Sequence, residues 1–210
     1  DLMELFNYLT GRSLKKDYQK LLVAPINMKK KFLDMISREI ENKKSGKEAH
    51  IIIKVNNLED HDLVNALYEA SRAGVKVDLI VRSICTLKPK LKDHSENIRV
   101  IAIVDQFLEH SRIFYFRNGA PVASDGDCYI GSADWMYRNL LARVEVITPI
   151  EDQALKSRCW EILNIYLTNK FQTWEMQSDG SYTRLHKDSG PSAQKLLMRL
   201  MRERAIIPKE

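Results

Sequence analysis

The sequence has few cysteines and no long apolar run. Its three cysteines, Cys85, Cys128 and Cys159, do not have the ligand spacing of a zinc site, so we predict no metal ligands in this chain. A sparse, odd number of cysteines is typical of reduced thiols and favours a cytoplasmic location. No stretch approaches about 18 apolar residues, so we predict no transmembrane segment. Peripheral association with a membrane stays open.

The sequence also has only a small excess of charge of one sign. The 33 Lys and Arg against 28 Asp and Glu leave a net charge of +5, and 44% of residues are hydrophobic. This composition is that of an ordinary globular protein, and the length suits one large domain or one domain with an appendage. The mild positive excess is compatible with an acidic partner without demonstrating one. We predict no nucleic-acid partner.

The hydrophobic pattern predicts an α/β fold with a mixed, partly parallel sheet flanked by helices. Two β-branched runs, residues 50–55 and 75–81, surround a helical pattern at residues 58–73, which predicts a parallel β-α-β unit. Further helices are predicted at residues 1–10, 28–44, 151–168 and 192–202. Further strands are predicted at residues 21–24, 98–104, 113–116, 128–130, 143–148 (ended by Pro149), and in a hairpin over residues 171–185.

The most informative stretch is Phe107 to Phe116. His110 and Arg112 are two residues apart, so in extended chain they point to the same side. Arginine offers a fork of donors to phosphate oxygens, and histidine can donate, accept or attack. This pair therefore suits an anionic ligand. On these residues alone, a solvated arginine and a hydrogen-bonded strand-end histidine fit equally well.

A second stretch follows the predicted strand at residues 128–130. Gly131 and Ser132 form a turn, and Asp134 is predicted to cap a short helix. A strand, a Gly-Ser turn and a helix start place backbone N–H groups towards an anion. Arg138 and Arg143 come just beyond.

Arg82 follows the predicted strand at residues 75–81. Ligands of open α/β sheets bind at the carboxyl ends of strands, which makes Arg82 a candidate site residue. A surface salt bridge is the alternative interpretation.

These motifs resemble two related protein groups. A His-x-basic segment followed by Gly-Ser resembles one half-site of the phospholipase D superfamily. Longer segments resemble the C-terminal catalytic domain of the long-chain polyphosphate kinases. Those segments are residues 70–82, 95–99, 107–113, 132–136 with 138–139, and 143–146, and more loosely residues 18–25.

The resemblance to polyphosphate kinases implies reversible transfer of the terminal phosphate of ATP to inorganic polyphosphate. It implies ATP/ADP as nucleotides and Mg²⁺ held by residues outside this chain. A phosphorylated histidine is expected in a missing N-terminal part of the same protein, so the isolated fragment is expected to be inactive. A homo-oligomer is also expected.

The resemblance also implies roles for particular residues. His110 is the expected catalytic residue, in the second half of a composite site. The expected ATP or phosphate contacts are Arg82, His110, Arg112, Ser132, Arg138 and Arg143. Residues 1–26 are expected to connect to the missing domain, 27–205 to form a phospholipase D-like catalytic domain, and 206–210 to form a tail.

Some positions depart from these patterns. Arg112 stands where the wider superfamily has lysine, and the aspartate of that motif has no clear counterpart. The loop after Arg82 differs from the kinase pattern at Ser83, Thr86, Lys88 and Lys90. Two other functions are kept as alternatives: a phospholipase D-like phosphodiesterase built from two copies of His110, and a non-catalytic polyanion-binding module.

Overall fold

The computed structural model describes residues 1–14, 17–186 and 190–206. Its helices are α1 (Leu2–Leu9), α2 (Met28–Lys44), α3 (His61–Arg72), α4 (Gln153–Thr168) and α5 (Ala193–Ile206), with a 3₁₀ turn at Ala123–Asp125 and a π-helix at Arg138–Ala142. Its strands are β1 (Leu22–Ala24), β2 (His50–Val55), β3 (Lys76–Val81), β4 (Ile98–Ile103), β5 (Arg112–Phe116), β6 (Asp127–Gly131), β7 (Glu145–Ile150), β8 (Thr173–Met176) and β9 (Tyr182–Arg184). None of the helices in these ranges is long and apolar enough to cross a membrane.

All nine strands form one sheet, in the order β1-β7-β6-β5-β2-β3-β4-β8-β9. The β2–β3 and β3–β4 pairs are parallel, and the others are antiparallel. The predicted mixed, partly parallel sheet and its β-α-β unit are therefore confirmed. The β8–β9 hairpin is confirmed as well.

Helices cover both faces of the sheet. Alternate residues of β2 point to opposite sides, so Ile51 and Ile53 pack in one apolar core with Phe32 of α2 and Leu67 of α3. Ile52 packs in a second core, which α4 covers. Side chains of β2 are thus buried on both faces, as its continuous β-branched run predicts.

Several predicted boundaries are wrong, including the start of β7, which is Glu145 rather than residue 143. Helix α3 begins at His61 rather than at residue 58, because the Asp60 carboxylate caps it by accepting from the Leu63 amide at 3.1 Å. Strand β7 continues through Pro149 to Ile150. It pairs with β1 only as far as Ile147, so beyond that residue it is an edge strand, where proline is tolerated.

The last helix, α5, runs to Ile206, four residues past its predicted end. Its predicted cap is correct, since Ser192 Oγ accepts from the Lys195 amide at 3.3 Å. Residues 207–210 of the predicted tail lie outside the described residues. The predicted connecting segment, residues 1–26, stays a prediction, although β1 within it belongs to the sheet.

A polar cluster occupies the edge of the sheet where β2 and β3 begin. The Asp78 carboxylate, only 1% exposed, lies 2.7 Å from His50 Nε2 and 3.1 Å from Lys76 Nζ. Burial alone would raise the pKa of Asp78, but the hydrogen bond and charge of His50, with the charge of Lys76, outweigh burial and lower it. The ionised carboxylate therefore stabilises the fold.

We predict that Asp78→Asn lowers the free energy of unfolding by about 1–3 kcal/mol at pH 7, because a buried hydrogen-bonded charge is lost. A carboxylate whose pKa is lowered in the folded state stabilises the fold at pH values above its unfolded-state pKa. This stabilisation is lost as the pH falls through the folded-state pKa. Urea denaturation should therefore show the two proteins converging below about pH 4. Asp62→Asn is the control, because the Asp62 side chain is 65% exposed where it pairs with Lys29, and it should change stability far less. Equal effects of the two variants at pH 7 would contradict the prediction.

Candidate functional site

The site lies at the opposite edge of the sheet, where chain ends converge because of strand direction. Strand β5 is antiparallel to β2, with Ile113 opposite Lys54. The first residue of β5 therefore lies beside the last residues of β2. The end of β6, the start of β7 and the end of parallel strand β3 reach the same edge.

These ends surround a cavity of 270 Å³, lined entirely by polar residues. They are Asn56, Asn57, Arg82, His110, Arg112, Ser132, Asp134, Arg138, Asn139, Arg143 and Glu145. All the residues predicted to bind phosphate are among them. The structure thus brings the predicted site residues together, while their part in ligand binding stays a prediction.

The cavity is positively charged. Its four arginines and two carboxylates leave a charge of +2 with the histidine neutral. Within the ranges that the structure describes, only one of these arginines, Arg112, has an ion-pair partner. Arg82 is held through Nε, which donates to Asn56 Oδ1 at 3.0 Å. Its guanidinium is thus oriented without being neutralised.

Asp134 has a different role from the predicted one. Its carboxylate, 4% exposed, accepts from Arg112 Nε and Nη2 at 3.2 Å each. It also accepts from the backbone amide of Asn56 at 2.7 Å. The predicted helix cap is wrong, because the helical segment begins only at Arg138, after Tyr137. Burial would raise the pKa of Asp134, but hydrogen bonds from Arg112 and Asn56 lower it. Asp134 is therefore an ionised anchor for Arg112.

His110 is exposed beside Arg112. Arg112 Nη1 lies 3.3 Å from His110 Nδ1 and donates to the His110 carbonyl oxygen at 3.0 Å. Because a guanidinium cannot accept a hydrogen bond, Nδ1 is the acceptor in this contact. The neutral ring then carries its proton on Nε2, which can donate to a ligand oxygen.

The Gly-Ser turn contributes the Ser132 side chain to the cavity wall, and two amides of the predicted amide cradle are already hydrogen-bonded within the protein. The Ser132 amide donates to the Val146 carbonyl at 3.1 Å, so it belongs to the sheet. The Ser132 hydroxyl donates to the Glu145 carboxylate. Only glycine fits at position 131, because the Cβ of any other residue would lie 2.3 Å from the Val146 carbonyl oxygen. The Trp135 backbone amide is also engaged, because it donates to the Asn57 carbonyl oxygen at 3.2 Å.

Sequence reasoning missed several residues of the cavity wall. Asn56 and Asn57 follow a buried strand directly, and that position could have indicated them. Glu145 and Asn139 carry no such signal, and they meet only through the fold, with Asn139 Nδ2 donating to Glu145 Oε1 at 2.7 Å.

Comparison with known proteins places the chain in a family. Residues 21–195 match the model of the polyphosphate kinase C-terminal domain 2. The chain belongs to the polyphosphate kinase family. The polyphosphate kinase of Synechocystis is 50% identical over 194 residues, which are 92% of this chain. The crystal structure of the Porphyromonas gingivalis polyphosphate kinase superposes with a TM-score of 0.90 at 38% identity, over 97% of this chain.

The chain spans only part of these relatives. It covers 26% of the Synechocystis protein and 31% of the Porphyromonas gingivalis chain. A phospholipase D family member, Nuc from Salmonella typhimurium, shares the fold with a TM-score of 0.54, but at 12% identity that likeness supports the architecture alone. The expected phospholipase D-like fold of this polyphosphate kinase domain is thereby confirmed.

We predict that Asp134→Ala lowers the free energy of unfolding by about 3 kcal/mol, because it leaves the half-buried Arg112 guanidinium without its partner. The measurement is urea denaturation of the chain at pH 7. Glu151→Ala is the matched control, since Glu151 pairs with Lys20 where both side chains are more than 60% exposed. That change should have little effect. The role given to Asp134 would be refuted by a loss no larger than that of the control.

Proposed function

We propose that the cavity binds phosphoryl oxygens of ATP and polyphosphate during reversible transfer of the terminal phosphate of ATP. The observation that carries this proposal is the set of arginines that converge on the cavity without an ion-pair partner among the described residues: Arg82, Arg138 and Arg143. Guanidinium groups match phosphate oxygens in geometry and keep their charge at every physiological pH. Membership of the polyphosphate kinase family supplies the substrate class.

The geometry suits phosphoryl transfer, which depends on positioning and on neutralising charge spread over oxygens. Arg82 and Arg112 are held by Asn56 and Asp134 before any ligand arrives. His110 Nε2–H can donate a hydrogen bond to the oxygen that leaves as the P–O bond breaks and so stabilise the negative charge that develops there. In this proposal His110 assists the transfer, and the phosphorylated histidine belongs to another part of the protein.

The remaining parts of the reaction are assigned outside the chain. Within residues 1–14, 17–186 and 190–206, no three His, Cys, Asp or Glu side chains form a group that could hold a metal ion. Mg²⁺, when bound, would neutralise phosphate charge, and its protein ligands are proposed to lie elsewhere in the longer protein. The working enzyme would be a homo-oligomer of the longer protein that contains this chain and its upstream part.

We predict that His110→Ala, in the full-length protein, reduces ATP-dependent polyphosphate formation by roughly 10²–10³-fold, the range for loss of one hydrogen-bond donor to a developing negative charge. Arg82→Ala should reduce it comparably by removing charge stabilisation. Arg72→Ala is the control, because Arg72 is an exposed arginine at the end of α3, at the other edge of the sheet. The measurement is polyphosphate formed from ATP at saturating Mg²⁺.

Other outcomes would favour the two alternatives. Hydrolysis of a phosphodiester without ATP, abolished by His110→Ala, would establish a phospholipase D-like enzyme. Full turnover by His110→Ala with weaker binding by Arg82→Ala would establish an anion-binding module. Vigorous polyphosphate synthesis by these 210 residues alone would contradict the assignment of the phosphohistidine to a missing part.

We predict that the chain alone still binds inorganic tripolyphosphate, because the arginines converge without the rest of the protein. Isothermal titration should show binding that weakens as salt rises. Arg82→Ala should weaken it about tenfold to a hundredfold, since a hydrogen bond to a charged group contributes about 1.5–3 kcal/mol. Arg72→Ala should leave it unchanged. Equal weakening by both variants would mean that the attraction is diffuse and not specific to the cavity.

A further inference from the structure

A buried lysine lies directly behind the cavity. Lys54, in β2, points to the face covered by α4, and its side chain is 2% exposed. Its Nζ lies 3.0 Å from Glu109 Oε2, donates to the Ser111 carbonyl oxygen at 3.2 Å, and lies 5.2 Å from the centre of the Tyr166 ring. Burial lowers the pKa of Lys54, while the Glu109 charge acts in the opposite direction.

Glu109 is the centre of a buried polar network. Its carboxylate, 9% exposed, accepts from Tyr166 Oη at 2.9 Å and from Gln194 Nε2 at 2.7 Å, in addition to Lys54. Gln194, in the first turn of α5, also accepts from the Phe107 amide at 2.8 Å and donates to the Phe107 carbonyl at 2.7 Å. Two helices and one strand thus hold a single stretch of chain.

That stretch, residues 104–111, has no helix or strand of its own. Its position depends on side-chain contacts at Phe107, Glu109 and Ser111, together with the hydrogen bonds of the Val104 amide to Gln172 and of Arg112 to the His110 carbonyl. His110 lies between Glu109 and Ser111, and its ring is exposed to the cavity. Neighbouring side chains in extended chain point to opposite sides, so the anchor and the imidazole alternate.

The ionic character of this network also needs an explanation. A buried ion pair is often no more stabilising than apolar residues of similar volume. Its hydrogen bonds, however, have narrower geometry than apolar contacts. A network in which each partner is satisfied fixes one conformation of the chain.

We propose that Glu109, held by Lys54, Tyr166 and Gln194, is a positioning residue that presents His110 to the phosphoryl group. This inference rests on the proposed function of the cavity. Glu109 does not touch the ligand, and it acts through the backbone on either side of His110. Displacement of a catalytic group by about 1 Å can reduce a rate about a hundredfold.

The first test is a double-mutant cycle in the full-length protein. Glu109→Gln should lower kcat for polyphosphate formation about tenfold to a hundredfold while changing the KM for ATP much less. In the His110→Ala background, Glu109→Gln should have no further effect, because its only route is through His110. Multiplying losses, or a kcat of Glu109→Gln within about twofold of the parent protein, would overturn the proposal.

The control must be a buried carboxylate with a structural role only. Glu39 is 0% exposed and accepts from the His50 and Asn118 amides at 3.0 and 2.6 Å, at the opposite edge of the sheet. Glu39→Gln should lower stability without changing kcat. If Glu109→Gln fails to fold, Tyr166→Phe is the second variant, because it removes one hydrogen bond and should lower kcat in the same direction.

A second readout does not depend on turnover. The second readout is NMR of the histidine-ring resonances of the chain, in which the His110 resonance is assigned by its loss in His110→Ala. This resonance should shift in Glu109→Gln and Tyr166→Phe but not in Glu39→Gln, and titration with inorganic tripolyphosphate should then change its chemical shift less than in the parent protein. An unchanged His110 resonance in Glu109→Gln would refute the positioning role. If His110→Ala keeps full turnover, the proposed function fails instead, and the NMR result still decides whether Glu109 positions the ring.

Discussion

The fold of the cavity depends on one carboxylate. Asp134 reaches across from the loop after β6 to the Arg112 side chain at the start of β5 and to the main chain of Asn56 after β2. Without Asp134, the Arg112 guanidinium would be unpaired, and the positive charges at this end of the sheet would repel each other. Since Asp134 neutralises Arg112 alone, the described structure keeps Arg82, Arg138 and Arg143 without an acidic partner.

Strand direction is the second constraint. The parallel β2 and β3 end where the antiparallel β5 begins, so polar residues scattered between positions 56 and 145 meet at one edge. Gly131 allows β6 and β7 to approach closely enough for Ser132 to reach Glu145. The opposite edge holds the Asp78 and Glu39 clusters, which stabilise the sheet and are far from the cavity.

Local patterns predicted the strands well because burial on both faces leaves a continuous β-branched run, as in β2 and β3. They also made Arg82 a candidate, because it follows a predicted strand, whereas the full set of expected phosphate contacts came from the resemblance to polyphosphate kinases. They could not predict the roles of Asp134 and Glu109, whose partners are distant in sequence: Arg112 lies 22 residues from Asp134, and Gln194 lies 85 from Glu109. A capping aspartate and an anchoring one look alike until the partner is placed.

The cavity volume bears on what the proposed site can hold. At 270 Å³ it lies close to the lower end of the roughly 300–1,000 Å³ of typical small-molecule sites, and its entirely polar lining suits phosphoryl groups. Its charge of +2 is also less than a nucleoside triphosphate requires for neutralisation. Both quantities are compatible with the proposed composite site, in which this chain would supply the arginines and the imidazole. In that proposal the adenine base, the metal and the phosphohistidine would be held by other parts of a longer protein; this chain covers 26% of its Synechocystis relative.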